Sequence, residues 1–325
     1  MDKKTGRINK LRDAVCETSV LLLTIFSALV IVFVFIFILN KSWRIFEINK
    51  INFITKTGFD RQVIDAYISS RNRPVWVFGA FGLIMGTLTT TLGALVLAVP
   101  MGIGTAIVIT ELAPVWLKRF LQSMIQLLAS IPSIIFGLIG LMVVVPFIQN
   151  FITTDMQIRY IKYFQLDGKC MLAGIFVLSI MITPIIIALS VDAIKAVPRK
   201  YKEASLALGL SHWRTIAKVI VPAAKSGIIA GIILATGRAI GEAIALSMVS
   251  GSVGNVPYLS DGIVFFFTPV LTLASAIVNK SEIISVPSVE AALFACGAML
   301  LITSVFLSLA TKMVEYLVKR SEGVE

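Results

Sequence analysis

The chain has 325 residues, 57% of them hydrophobic and only 14% charged, with a net charge of +11. A soluble domain carries about 45–50% apolar and about 25% charged residues, so a soluble globule is excluded and a polytopic membrane protein is expected. Basic residues of such proteins gather in cytoplasmic loops, which accounts for the charge without nucleic acid as a partner. One histidine, His212, excludes a multi-histidine metal site, and Cys16, Cys170 and Cys296 lack metal-ligand spacing and are expected to be inert. No metal or other cofactor is expected.

Residues 1–18 are basic, and the apolar run Val20–Leu39 follows. At about 20 residues it exceeds a signal-peptide core, and no small-x-small cleavage site follows, so it reads as a first transmembrane helix with its N-terminus inside. Residues 40–74 form a polar external loop. The second span, Val75–Thr110, contains Pro100 and a small-xxx-small pair, Gly82 and Gly86, expected to admit a neighbouring helix. Glu111-Leu112-Ala113-Pro114 ends it, and Lys118 and Arg119 mark a short internal turn. The third span, 120–148, carries Ser130-Ile131-Pro132-Ser133 near its middle, then Gly137 and Gly140.

Residues 149–170 return outside. The fourth span, Met171–Leu189, contains Pro184. Asp192–Lys225 is polar and basic. The fifth span, Ile228–Val249, holds Arg238 and Glu242 in its interior, with Gly227 and Gly231 as a packing seam. The apolar stretch 263–278 is only about 16 residues long and broken by Pro269, so it is expected to be re-entrant or interfacial. Glu290–Thr311 then makes the last of six spans, and both termini fall in the cytoplasm with the basic clusters.

No phosphate-binding GxxxxGK[ST] loop, GxGxxG fingerprint or G-x-S-x-G elbow occurs, so the chain is not expected to hydrolyse ATP or to be an enzyme. One polar stretch keeps helical patterning: Glu203-Ala204-Ser205, three residues, Gly209, nine residues, then Val219-Ile220-Val221-Pro222. A helix, a glycine turn and a second helix make a compact protrusion able to touch a soluble partner. The competing reading is a basic juxtamembrane loop on anionic lipid. In the fifth span, Arg238 and Glu242 are four apart and so share a helix face where they can pair. Charges at such depth mark a pathway or a partner.

The spacing from Glu203 to Pro222 matches the EAA motif of permease subunits of ABC importers, with Ser at its third position and Val for both closing aliphatics. With Asp192 to Arg199, Gly237 to Glu242, Val99-Pro100-Met101-Gly102 and Ile131 to Gly137, the chain resembles the phosphate importer permeases, the PstC branch more than the PstA branch. The resemblance covers residues 75–318 and implies an all-α fold of type I importer permeases with six transmembrane helices. It divides the chain into an N-terminal helix with its loop (1–74), the permease domain (75–318) and a cytoplasmic tail (319–325).

The resemblance also implies a cell-membrane location. Its partners would be a second, PstA-like permease subunit, a PstB-like ATPase dimer, an external PstS-like phosphate-binding protein and membrane lipid. Glu203, Ala204, Ser205, Gly209 and Pro222 would dock the ATPase, with His212 on the same surface. The external loops 40–74 and 251–289 would meet the binding protein. Arg238 would offer bidentate positive charge to a crossing phosphate, and Glu242 would hold Arg238 and keep the anion from binding too tightly. The alternative is a neutral ion pair that fastens this helix to the partner permease. Ser133 and Thr183, beside helix breaks, would line the path; Ser130, Ser247 and Ser250 face the same choice between path and bonds within their own helices. Another oxyanion such as molybdate or sulfate, or a stand-alone anion carrier or channel, remains as an alternative function.

Overall fold

In lipid every backbone polar group must be satisfied within the protein, and long apolar runs therefore fold as helices. The computed structural model describes residues 3–69, 75–161, 164–258 and 262–321, and among these it is helical with no strand. Helix α1 (Lys3–Asn49) runs on well past the predicted end at Leu39. Its apolar residues from Val20 to Phe33 are bare on this chain, as suits a helix facing lipid or a second subunit. The segment read as a polar loop is a packed cap. Its helices α2 (Asn52–Thr55) and α3 (Phe59–Ile68) bury Phe53, Phe59 and Val63 against Phe78 and Leu271. Asn49 closes the cap by donating to Trp76 O (2.8 Å) and accepting from Phe78 N (3.0 Å). Residues 70–74, the expected end of the first domain, lie outside the described residues.

Helix α4 (Phe81–Ile107) passes through Pro100 without a break and finishes in a π turn, Val108–Leu112. The third span departs from expectation. Instead of one helix there are α5 (Val115–Ser130) and, after a 93° bend, α6 (Ser133–Ile139), a π turn (Gly140–Val144) and α7 (Val145–Gln149). The cause is Pro132, which pushes Ile131 to an extended ψ of 128°. Ser130 Oγ donates to Leu127 O (2.8 Å) at the loosened end of α5. Helix α8 (Thr154–Tyr160) follows, and α9 (Met171–Ala196) runs through Pro184 as the central helix of the largest core cluster.

After α9 come three short helices, α10 (Arg199–Ala207), α11 (His212–Thr215) and α12 (Val221–Ala223). The stretch expected as the fifth span, Ile228–Val249, divides between α13 (Lys225–Ile240) and a separate α14 (Ile244–Val249). Next are α15 (Val264–Phe267), α16 (Leu273–Asn279) and the closing α17 (Pro287–Ser321). Among the described residues, four helical segments are long and apolar enough to cross a membrane: Cys16–Asn49, Phe81–Leu112, Met171–Ala196 and Pro287–Phe306. Two bent pairs, Val115–Ser130 with Ser133–Gln149 and His212–Ala223 with Lys225–Ile240, complete six if each is one crossing. Residues 322–325 of the expected tail lie outside the described residues.

The stretch 263–278 does not span, as its length implied. It lies buried beside α4, α9 and α17, with Val270, Leu271 and Leu273 enclosed. Irregular backbone at this depth requires partners, and they are present. Val270 N donates to Ser250 O, Leu273 N donates to Thr87 Oγ1, and Thr272 and Ser275 form a reciprocal cap on α16. In return, Thr268 O and Val249 O accept the first free N–H groups of α9, from Met171 and Cys170 (3.0 Å each). Of the pair Gly82 and Gly86, only Gly86 serves this element, and neither receives a helix: a Cβ at Gly86 would lie 2.5 Å from Leu271 O, and one at Gly82 would run into Gly254 O of the loop after α14. Gly227 and Gly231 do form the expected seam, against Ala193 and Leu189 of α9.

Candidate functional site

At the basic end of the bundle α10, α11 and α12 form the protrusion expected from the spacing. Pro198 starts α10, and Gly209 ends it in the left-handed region at φ 79°. There Leu210 N donates to Ser205 O (3.2 Å) and Gly209 N to Leu206 O (3.0 Å). This bond pair is the Schellman closure, which needs a residue without a Cβ penalty at Gly209. Ser211 then caps α11, its Oγ accepting from Arg214 N.

The two helical arms are tied together: Ser205 Oγ donates to Thr215 Oγ1 at 3.1 Å, with both residues buried. The underside is apolar, with Ile216 and Ile220 packed on Ile109 of the π turn after α4 and on Val191 and Ile194 of α9. The outer surface presents Glu203, Ala204, Gly209, His212 and Pro222, with the large apolar side chains Tyr201, Leu206, Leu208 and Trp213 exposed among them. Ser205, predicted for the same surface, faces inward instead, because α10 turns that side to α11.

Within the bundle, the expected Arg238–Glu242 pair on one helix face does not form. Helix α13 stops at Ile240, and the chain turns through Gly241 and Ala243 before α14 begins. The Glu242 carboxylate, 8% exposed, accepts from Ala245 N (3.0 Å) and so caps α14. Arg238 is exposed on the surface of this chain, and no ion pair joins it to Glu242 among the described residues. The i,i+4 argument assumed an unbroken helix; the Gly241 turn separates the two residues.

Close glycine contacts fix the register of two helix pairs around these breaks. On the antiparallel pair α9–α13, Gly231 meets Leu189 and Gly227 meets Ala193. Continued along both helices, this register sets Arg238 level with Ile182 and Thr183. On the pair α6–α14, Gly137 meets Ala245 and Gly140 meets Val249. Ser133 opens α6 directly after the break at Pro132, and Glu242 lies in the turn before α14. Thr183 Oγ1 donates to Ser179 O (2.7 Å), Ser247 Oγ to Ile244 O (2.7 Å), and Ser250 Oγ bonds both Leu246 O and Val270 O. These hydroxyls satisfy backbone first.

Sequence reasoning missed the contacts between distant segments. Lys202 Nζ lies 2.6 Å from Glu111 Oε2, across 91 residues of sequence. At the opposite end Lys280 Nζ lies 2.9 Å from Asp60 Oδ1, and Asp60 Oδ2 accepts from Gly254 N. No local spacing announces either pair. Beside Asp60 a cavity of about 650 Å³ opens between the first cap and the loop after α14, lined by Thr57, Arg61, Tyr160, Phe164, Asn255 and Tyr258 among others.

The comparisons with known proteins agree with this architecture. A probable ABC transporter permease protein, YqgH of Bacillus subtilis, is 41% identical over 180 residues, 55% of each chain. The phosphate transport system permease protein PstC of Pasteurella multocida is 38% identical over 253 residues, 75% of this chain and 77% of its own. PstC of Xylella fastidiosa strain 9a5c is 34% identical over 255 residues, 76% of each.

Among solved structures, a bacterial ABC transporter for import of the acidic polysaccharide alginate superposes with a TM-score of 0.52 at 14% identity, covering 96% of this chain and 99% of its own. The MetNI methionine ABC transporter in an inward-facing form gives 0.51 at 19% identity, covering 74% and 94%. These two share the fold. Residues 98–320 match the family described as the binding-protein-dependent transport system inner membrane component, and the chain belongs to that family of multi-pass cell-membrane proteins.

Proposed function

We propose that this chain is a permease subunit of an ATP-driven importer of inorganic phosphate and lines the translocation path with a second, PstA-like subunit. The observation that carries the reading is its similarity to proteins named PstC over about three quarters of the chain. The chain itself is non-catalytic. Hydrolysis belongs to a PstB-like ATPase dimer, whose closure draws the protrusions of the two permeases together and rocks the attached helices between inward and outward access. The exposed surface around Glu203, Ala204, Leu208, Gly209 and Pro222 docks that ATPase, and Ser205 holds its two arms together. A PstS-like binding protein delivers phosphate at the opposite end, where α2, α3 and the loop after α14 border the cavity beside Asp60.

Arg238 supplies the positive charge for the anion, and Ser133 and Thr183 line the path with it. A guanidinium with no carboxylate partner among the described residues keeps its donors for a phosphate. Glu242 acts on it through the turn it caps rather than as a counter-ion. The test is uptake of labelled phosphate with and without the ATPase subunit, in competition with sulfate and molybdate. Uptake that survives loss of the ATPase would point to a stand-alone carrier. Strong competition by sulfate or molybdate would point to another oxyanion.

A further inference from the structure

The protrusion is joined by the chain itself to α9, through Val197-Pro198, and to α13, through α12 and Ala224. Helix α4 has no such connection. It meets the protrusion through the apolar contact of Ile109 with the cluster around Ile216 and Ile220, and through Lys202 and Glu111. Apolar contact is non-directional and lets surfaces slide; an ion pair at 2.6 Å fixes a register.

Two features make this pair more than a surface contact. The Glu111 side chain is only 11% exposed, so its charge has little water to fall back on. It also sits in the π turn that ends α4, where the helix dipole disfavours an anion, and Lys202 is the cation that offsets this. On α10, Ser205 faces inward and Lys202, one turn away with its side chain 37% exposed, reaches Glu111, while Glu203 and Ala204 face outward. The helix therefore has an outer docking face and an inner face bound to α4 and α11.

The geometry points to Lys202–Glu111 as a positioning strut that makes α4 and its corner with α5 move together with the protrusion. Motion entering at α10 then reaches α4, and through α4 the element 263–279 seated on Gly86 and Thr87, as well as α9 and α13. This inference rests on reading α10–α12 as the docking element of an ATPase.

The test uses the complete transporter in proteoliposomes, with phosphate uptake and ATP hydrolysis measured together. Lys202→Met and Glu111→Gln assemble, and the phosphate moved per ATP falls by at least about fivefold in each. The reversed pair, Lys202→Glu with Glu111→Lys, returns the ratio to within about twofold of the parent. Single variants with the parent ratio overturn the strut, as does an equal fall in hydrolysis and uptake. So does a reversed pair no better than the single changes. Single variants that fail to assemble also overturn it, because the pair would then hold the fold rather than transmit motion. A parent complex with no ATP-dependent uptake would instead refute the importer reading, which separates the two failures.

Discussion

Gly209 gives the sharpest prediction. Its φ of 79° is the left-handed conformation that closes α10, and a Cβ added there would meet nothing within 4 Å. Any cost of substitution is therefore backbone strain, with no steric clash to confuse it. For an L-residue that strain is about 1–2 kcal/mol, and β-branching adds to it. If it falls on the docking-competent form of the protrusion, the population of that form drops about 5- to 30-fold. Gly209→Val should thus reduce labelled phosphate uptake by that range while membrane abundance, read by immunoblot, stays at the parent level. Gly209→Asn should stay close to the parent, because Asn tolerates the left-handed region, and Gly209→Ala should fall between. Normal uptake in the Val variant, or an Asn variant as impaired as Val, would refute the coupling role of this turn.

Arg238→Gln should abolish phosphate uptake while the variant still co-purifies with its partner subunits; loss of co-purification instead would make Arg238 an assembly residue. Glu242→Gln, whose amide oxygen still accepts from Ala245 N, should keep normal membrane abundance, whereas Glu242→Ala should lower thermal stability by about 1 kcal/mol through the lost cap. Gly86→Val should cost about 1–3 kcal/mol by overpacking, because its Cβ would lie 2.5 Å from Leu271 O; an unchanged unfolding temperature in detergent would contradict the packing of 263–279 on α4. Burial pushes the Cys170 thiol up to about 11. It therefore stays protonated at pH 8, and maleimide should label it only after unfolding, a difference readable by mass spectrometry.

Much of this molecule was legible in one dimension, because lipid imposes a length scale and a satisfaction rule on each span separately. Apolar runs of spanning length, basic clusters and the shortness of 263–278 each follow from local composition, and each has its counterpart in the bundle. The protrusion was legible for a similar reason: a helix, a glycine with positive φ and a second helix are close in sequence and interact mainly with each other. The phosphate reading rested on resemblance, and the relatives named PstC carry it.

Other features needed the third dimension. The break after Ile240 undid the Arg238–Glu242 pair, because a four-residue spacing implies contact only where the helix is continuous. Pro132 was visible, but the 93° bend it produced depends on what packs to either side. Gly82 and Gly86 were recognisable as a place of close approach, yet the approaching groups are the backbone of the loop after α14 and of the re-entrant segment, some 170–190 residues later. The pairs Lys202–Glu111 and Lys280–Asp60 leave no trace in local spacing. Composition and periodicity determine which segments enter the membrane and which stay polar. Which polar group answers which buried charge is decided only when distant segments are packed together.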